Sequence, residues 1–207
     1  FDKVSFSLSK GDKVAFVSKD PLAVTSFFEI INGEMQADKG KYEWGTTITK
    51  TYLPIENADF FKEDLGLLDW LRQFVPAHVT DADEPFLRGF LGKMLFSGDD
   101  IMKKTKVLSG GEKVRCMVSR MMLQNPNCTV LDQPTNHLDL ESIQSFNEGC
   151  INFPGVVLLT SHDHTFMQTV ANRVIELTPK GSIDRLMTFD EYLDDKRVQE
   201  LRAEMYS

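Results

Sequence analysis

Leu108-Ser-Gly-Gly-Glu-Lys-Val-Arg115 decides how the rest of the chain is read. Ser109 and Glu112 stand at the S-x-x-E spacing of a capping box. In that motif the serine hydroxyl accepts from the third helical N–H while the glutamate reaches back to the N–H of the cap. Val114, Met117, Val118, Met121 and Met122 follow at helical spacing, so a helix with one apolar face begins here. Gly110 and Gly111 leave its first N–H groups without side-chain cover. A bare helix N-terminus offers free donors and partial positive charge, which suits a phosphate. Alone, such a stretch is an ordinary capped helix. A second stretch, Leu131-Asp-Gln-Pro-Thr-Asn-His-Leu-Asp139, gives it functional meaning: an apolar run ends in an acid, turns, and reaches Asp139, itself placed to cap another helix.

Outward from these motifs, the chain reads as a single domain over residues 1–207. With 42% hydrophobic and 26% charged residues it has an ordinary globular composition, and no apolar run approaches the ~18 residues of a membrane span. It begins Phe1-Asp2-Lys3, without methionine or a signal peptide, as expected of a segment of a longer protein. A net charge of −8 argues against a general nucleic-acid surface. Residues 103–120 nevertheless gather Lys103, Lys104, Lys106, Lys113, Arg115 and Arg120 against one acid, Glu112, leaving room for a local patch. Cys116, Cys128 and Cys150 lie in apolar periodic segments without metal-ligand spacing, and are expected as reduced core residues of a cytoplasmic protein.

Short apolar strands alternate with helices, which predicts an α/β fold with a mainly parallel sheet covered on both faces. Val4, Phe6 and Leu8 alternate as a half-buried strand, and Lys13–Val17 reads as a buried one. A helix with Phe27, Phe28, Ile30 and Ile31 stops at Asn32-Gly33. Strands over Lys41–Gly45 and Thr47–Leu53, expected to be antiparallel, complete an antiparallel β subdomain. Residues 61–125 read as an inserted α-helical subdomain. Its first stripe is Leu67, Trp70, Leu71, Phe74 and Val75, ended by Pro76. Its second, capped by Asp83 with Pro85 in the first turn, is Leu87, Phe90, Leu91, Met94 and Leu95. Gly89 and Gly92 weaken that helix by roughly 1 kcal/mol each, which predicts close packing there. Beyond it come strands at Cys128–Leu131 and Val156–Leu159, helices from Asp139 and near 164–171, and a hairpin from Arg173–Leu177 across Pro179–Gly181. The capping box Thr188-x-x-Glu191 opens a C-terminal helix over 188–207.

Leu108–Arg115, Leu131–Asp139 and Thr160-Ser-His-Asp163, in this order, resemble the signature motif, the Walker B strand with D-loop, and the switch region of ATP-binding cassette (ABC) domains. Asn136-His137-Leu-Asp139, and Glu112 where transporters usually carry Gln, resemble the ABC-F family in particular. The resemblance covers nearly the whole chain and implies an ABC-type P-loop ATPase core. It also implies a soluble protein with two ATPase domains on one chain, acting on the ribosome near the tRNA exit site, in some members against antibiotics. ATP and Mg²⁺ are the implied cofactors. The implied partners are a first ABC domain of the same chain, or a second copy of this one, with ribosome and tRNA and no membrane. In such a pairing Ser109, Gly110, Gly111 and Glu112 serve the partner's ATP, and Asn136 and Asp139 belong to the D-loop.

Against the Walker A pattern G-x-x-x-x-G-K-[ST] stands Ser18-Lys-Asp-Pro-Leu-Ala-Val-Thr25. Ser18 and Ala23 replace the glycines, which supply left-handed backbone for converging N–H groups. Pro21 deletes one N–H. Val24 replaces the lysine, a loss of about 1.5–3 kcal/mol for a charge-assisted contact. Thr25, followed by Ser26, remains for Mg²⁺, as does Asp132. The implied nucleotide contacts of this loop are therefore Ser18, Lys19, Asp20, Ala23, Val24, Thr25 and Ser26, in degenerate form, and whether ATP binds there stays open. Ile55, with Glu56 beside it, stands where the family has glutamine. Gln133 stands in place of the catalytic glutamate, and a neutral amide cannot take a proton from water. The intact motif around Gln133 favours a deliberate Glu→Gln replacement over natural drift, while relatives with a divergent loop in their second domain make that loop a natural feature. His162 is the implied switch residue near the γ-phosphate. These features resemble a second nucleotide-binding domain, inactive or very slow alone. A transporter's nucleotide-binding subunit and a non-catalytic interaction module are the rival readings.

Overall fold

The computed structural model describes residues 1–207. Six strands form one sheet: β1 (Lys13–Val17), β2 (Lys50–Leu53), β3 (Cys128–Asp132), β4 (Val156–Thr160), β5 (Arg173–Thr178) and β6 (Gly181–Arg185), in the order β2-β3-β4-β1-β5-β6. All neighbours are parallel except the β5–β6 hairpin. The fold is therefore α/β with a mixed, mostly parallel sheet. The expected strands at Val4–Leu8 and Lys41–Gly45 do not form, and β2 runs parallel to β3 rather than in an antiparallel pair. Alternation reports which side chains face the core. It does not supply a neighbouring strand to complete the hydrogen-bond ladder. Val4, Phe6 and Leu8 still pack against the core from irregular backbone.

Strand alternation sorts the interior into two cores. Val14, Phe16, Val130, Leu158 and Ile175 point to one face, where α1 (Pro21–Asn32) covers them with Val24, Phe27, Phe28 and Ile31. Ala15, Leu131, Val157, Leu159 and Val174 point to the other, beneath the remaining helices. On that side lie α2 (Leu67–Arg72), α3 (Glu84–Lys93), α4 (Gly110–Gln124), α5 (Leu140–Asn152) and α6 (His164–Val170). The two last helices are α7 (Phe189–Asp194) and α8 (Lys196–Tyr206).

Helix ends follow local chemistry. Gly33 closes α1 in the left-handed conformation at φ 84°, its N–H turned back to the carbonyls of Glu29 and Ile30. Asp83 caps α3 through the Phe86 N–H, and Asp139 caps α5 through the Ser142 N–H. Four expectations need correction. Helix α2 ends at Arg72, and Phe74 and Val75 continue in tight turns, bonded to the carbonyls of Leu71 and Arg72. Leu95 leaves the stripe of α3 in left-handed backbone at φ 62° and is partly exposed. Gly89 and Gly92 face open space, so no close packing accounts for them. The C-terminal helix is broken at Asp195, whose extended backbone ends α7 while its carboxylate caps α8 through the Val198 N–H at 2.9 Å.

All three cysteines are buried and free. No helix is long and apolar enough to cross a membrane.

Candidate functional site

Parallel strands β1, β3 and β4 are neighbours in the sheet, so their carboxyl ends deliver three segments to one edge: Ser18–Ser26, Asp132–Asp139 and Ser161–Asp163. Ligand sites of open α/β sheets lie at such an edge.

The loop after β1 satisfies its own backbone. The Lys19 N–H donates to the Tyr206 hydroxyl at 3.0 Å, and the Asp20 N–H to Ser18 Oγ at 3.3 Å. Pro21 has no N–H. The Leu22 N–H donates to Asp20 Oδ1 at 3.1 Å and the Ala23 N–H to the Asp20 carbonyl at 3.0 Å. From Lys19 to Ala23 no N–H is left for a phosphate oxygen, and the Asp20 carboxylate takes the Leu22 N–H at the start of α1. The loop is tied down further: Ser18 Oγ and Tyr206 Oη both donate to the Leu177 carbonyl, and the Lys19 ammonium lies 4.1 Å from the Tyr206 ring centre. Val24, at the lysine position, is 2% exposed and packed in the α1 core. The loop thus keeps its Lys19–Ala23 donors for itself, and Val24 brings no ammonium to it. Asp20-Pro21 is a readable helix start. Tyr206 joins the loop from the far end of the chain, with no local sequence signal to mark it.

Asp132 ends β3 almost completely buried, and neither carboxylate oxygen has a hydrogen-bond partner. Burial pushes its carboxyl up to about 6; the nearby Thr25 hydroxyl opposes the shift and Glu29 adds to it. An orphaned carboxylate beside a hydroxyl is a donor set suited to Mg²⁺, which takes one or two protein oxygens and completes its shell with water and phosphate. Thr25 and Asp132 would hold the ion, which when bound neutralises developing phosphate charge. The raised value sets a sign for stability. Below pH ~4 the carboxyl is neutral folded and unfolded alike. As pH rises through 6 the folded state must bury a charge and loses stability. In Mg²⁺-free buffer, Asp132→Asn is expected to raise unfolding stability at pH 7.5 by on the order of 2 kcal/mol, with the gain vanishing towards pH 4. An equal gain at both pH values in denaturant titrations would contradict this.

Gln133 follows in left-handed backbone at φ 52°, unusual for a side chain with a Cβ and common at functional sites. Its N–H donates to the Thr160 carbonyl, and its Oε1 accepts the His162 N–H at 3.0 Å. Thr135 and Ser161 share a hydroxyl hydrogen bond of 2.7 Å. Gln133 thus binds the β3 end to the His162 segment, with the His162 residue itself exposed. Asp163 caps α6 through the Phe166 N–H and shapes this turn. The Gln133 amide can orient a neighbour but cannot accept a proton.

The capping box of α4 forms as its sequence predicts: Glu112 Oε2 accepts the Ser109 N–H at 2.7 Å, and Ser109 Oγ accepts the Glu112 N–H at 3.2 Å. Burial would raise the Glu112 carboxyl, but Lys103 and Ser109 outweigh it and hold the group below its usual range. A cleft of about 250 Å³ joins Gly110 and Lys113 to Asp132, Gln133 and Asn136, with Ile55 and Glu56 at its wall; the 18–26 loop does not line it. His137 adopts left-handed backbone at φ 65° against Gly110 and Gly111. Asn136 is half-buried in the cleft, and the Asp139 carboxylate is used as a helix cap. The basic run of 103–120 is largely consumed internally. Lys103 pairs with Asp100 and Glu112, Lys104 with Asp64, and Arg115 and Arg120 lie over Phe96 and over Phe60 and Phe74. Trp44 and Tyr52 pack against the α1 core, and His78 and His164 are at the surface.

A strand–loop–helix at β1, a buried acid ending β3, and a capped glycine helix facing the turn after β3 define an ATP-binding cassette domain. The family model described as ABC transporter matches residues 1–136, and the chain belongs to that family. It is 54% identical over its whole length to the uncharacterized ABC transporter ATP-binding protein YkpA of Bacillus subtilis, covering 38% of that protein. ABC transporter F family member 5 of Arabidopsis thaliana is 29% identical over 99% of the chain and 30% of its own length. The energy-dependent translational throttle protein EttA of Escherichia coli is 27% identical over 95% of the chain and 35% of its own length. The chain thus spans well under half the length of these curated relatives. Among solved structures, the dimeric post-hydrolysis form of the ATP-binding cassette MJ0796, bound to ADP and Pi, matches with a TM-score of 0.69 at 16% identity, over 89% of each chain. That likeness concerns the fold.

Proposed function

We propose that this chain is the second ATPase domain of a cytoplasmic, two-domain ABC-F protein that works on the ribosome through ATP-driven closure of its two domains. One contrast carries the reading. The Ser109–Glu112 helix start is built as a formed capping box with Ser109 and Gly110 exposed, whereas the loop from Lys19 to Ala23 has its N–H groups satisfied by the chain itself. Ser109, Gly110 and Gly111 then act on ATP held by the partner domain. The site framed by Val24, Asp132 and Gln133 is structural or very slow. Residues 61–125 act as the helical insertion that presents the signature helix. The F-family relative and the translational role named for EttA support the ribosomal part, as does the Asn136-His137-Leu-Asp139 resemblance.

The test is steady-state ATPase of the full-length protein. Ser109→Asp keeps a good helix cap but places a carboxylate towards the partner's phosphates. It is expected to lower activity at least about tenfold, the loss of one charge-assisted contact, with the unfolding midpoint unchanged. Val24→Lys is expected to leave activity within about twofold, because the loop donors remain occupied. The opposite ranking would sink the reading.

A further inference from the structure

The Glu112 carboxylate sits in the first turn of α4, at the end of the helix that this reading presents to ATP. A helix N-terminus carries about half a positive charge, and one carboxylate there more than cancels it. The acid stabilises the helix and, unopposed, repels the triphosphate. Lys103, nine residues upstream, answers that charge. Its ammonium lies 2.6 Å from Glu112 Oε1 and 2.8 Å from Asp100 Oδ1. Asp100 is itself fixed by the Ser97 N–H and hydroxyl, both donating to its Oδ2 at 3.1 and 2.6 Å. The Lys103 backbone is held as well, its N–H donating to the Asp100 carbonyl and its carbonyl accepting the Leu67 N–H. The Glu112 side chain is only 14% exposed, so water screens it poorly, and the two ends of its carboxylate are divided between Ser109 and Lys103. Lys113, one residue on, makes no ion pair and lies near the Phe61 ring, so it does not replace Lys103.

We propose that Lys103 is a positioning residue for ATP at the signature helix: it holds Glu112 in the capping box and offsets part of the acid charge there, so that the Ser109–Gly111 end repels the phosphates less. The inference rests on the reading that this helix serves the partner's ATP. Lys103 touches no phosphate itself and acts through Glu112. Its contribution belongs to ATP binding more than to the chemical step, and it weakens as salt rises.

The experiment uses the full-length protein and two readouts, ATPase kinetics and fluorescence titration with a non-hydrolysable ATP analogue. Lys103→Met is expected to raise KM and the analogue's Kd about three- to fivefold at low salt, with kcat changed less than twofold and the effect reduced at 0.5 M salt. Lys103→Arg is expected to restore both values. Glutamine keeps the capping box without the charge, so in a Glu112→Gln background the Lys103→Met change is expected to have a clearly smaller effect, the remainder coming from Asp100. An equal rise in KM in that background, or a fall in kcat with KM unchanged, would overturn the charge role. If Ser109→Asp abolishes activity while Lys103→Met leaves KM and Kd alone, this inference fails and the signature reading survives. If Ser109→Asp is itself silent, both fail.

Discussion

Alanine at Gly111 and alanine at Gly110 are expected to move stability in opposite directions. Both residues lie in the first turn of α4, where replacing glycine by alanine ordinarily stabilises a helix by about 0.5–1 kcal/mol. At Gly110 a Cβ would rest 3.6 Å from the His137 side chain, an ordinary contact, so Gly110→Ala should follow that rule. At Gly111 a Cβ would stand 2.3 Å from the His137 carbonyl oxygen. That oxygen belongs to backbone held in the left-handed region, which cannot swing aside as a side chain tip can. Gly111→Ala is therefore expected to destabilise the domain by about 1–3 kcal/mol by pushing the 134–139 turn away from α4. In the full-length protein it should remove most ATPase activity, since one displacement disturbs both motifs. Denaturant unfolding of the two variants decides the matter. Equal shifts would mean that α4 and the turn are not in close contact.

The largest loss of stability is expected from Trp70→Ala. Trp70 is 1% exposed, stacks on Phe61 at 4.9 Å between ring centres, meets Phe74 edge-on at 5.0 Å, and donates its indole N–H to the Phe60 carbonyl at 2.6 Å. Truncation removes a large apolar side chain, leaves a cavity and orphans an acceptor, for about 3–5 kcal/mol. Trp70→Phe keeps the stack and loses the hydrogen bond, so it should cost less than half as much. Arg120 lies over Phe60 and Phe74, so the damage should extend to the signature helix. A Trp70→Ala midpoint within error of the parent would show that these helices are not a packed unit.

What was legible in the sequence was mostly local hydrogen-bond chemistry. The Ser109–Glu112 box, the Asp83 and Asp139 caps, the Gly33 stop and the β5–β6 hairpin each depend on residues a few positions apart, and all formed. Strand identity was less legible where it depends on a distant neighbour. Val4–Leu8 alternates correctly yet finds no ladder, and β2 pairs with β3, 78 residues on, in parallel. The stripe from Leu67 to Val75 kept its period past the helix end, since tight turns place side chains much as a helix does. At the site, the positions of Asp132, Gln133 and His162 followed from motif order. The occupation of the 18–23 loop did not. Its Asp20-Pro21 cap was visible but hidden by alignment to a phosphate loop, and Tyr206 is too far along the chain for any pattern to join it to Lys19.

That last contact has a temporal side. Lys19 and its partner are 187 residues apart, nearly the whole chain. At translation rates of about 5–20 residues per second, Lys19 precedes Tyr206 by roughly 10–40 s. During that interval the Lys19 N–H lacks its Tyr206 partner, although the local bonds of the loop to Ser18 and Asp20 can already form. The last of the loop's bonds thus waits for α8 to dock. Between those moments the domain carries a first loop closed at one end only, and a change at Tyr206 should leave it so.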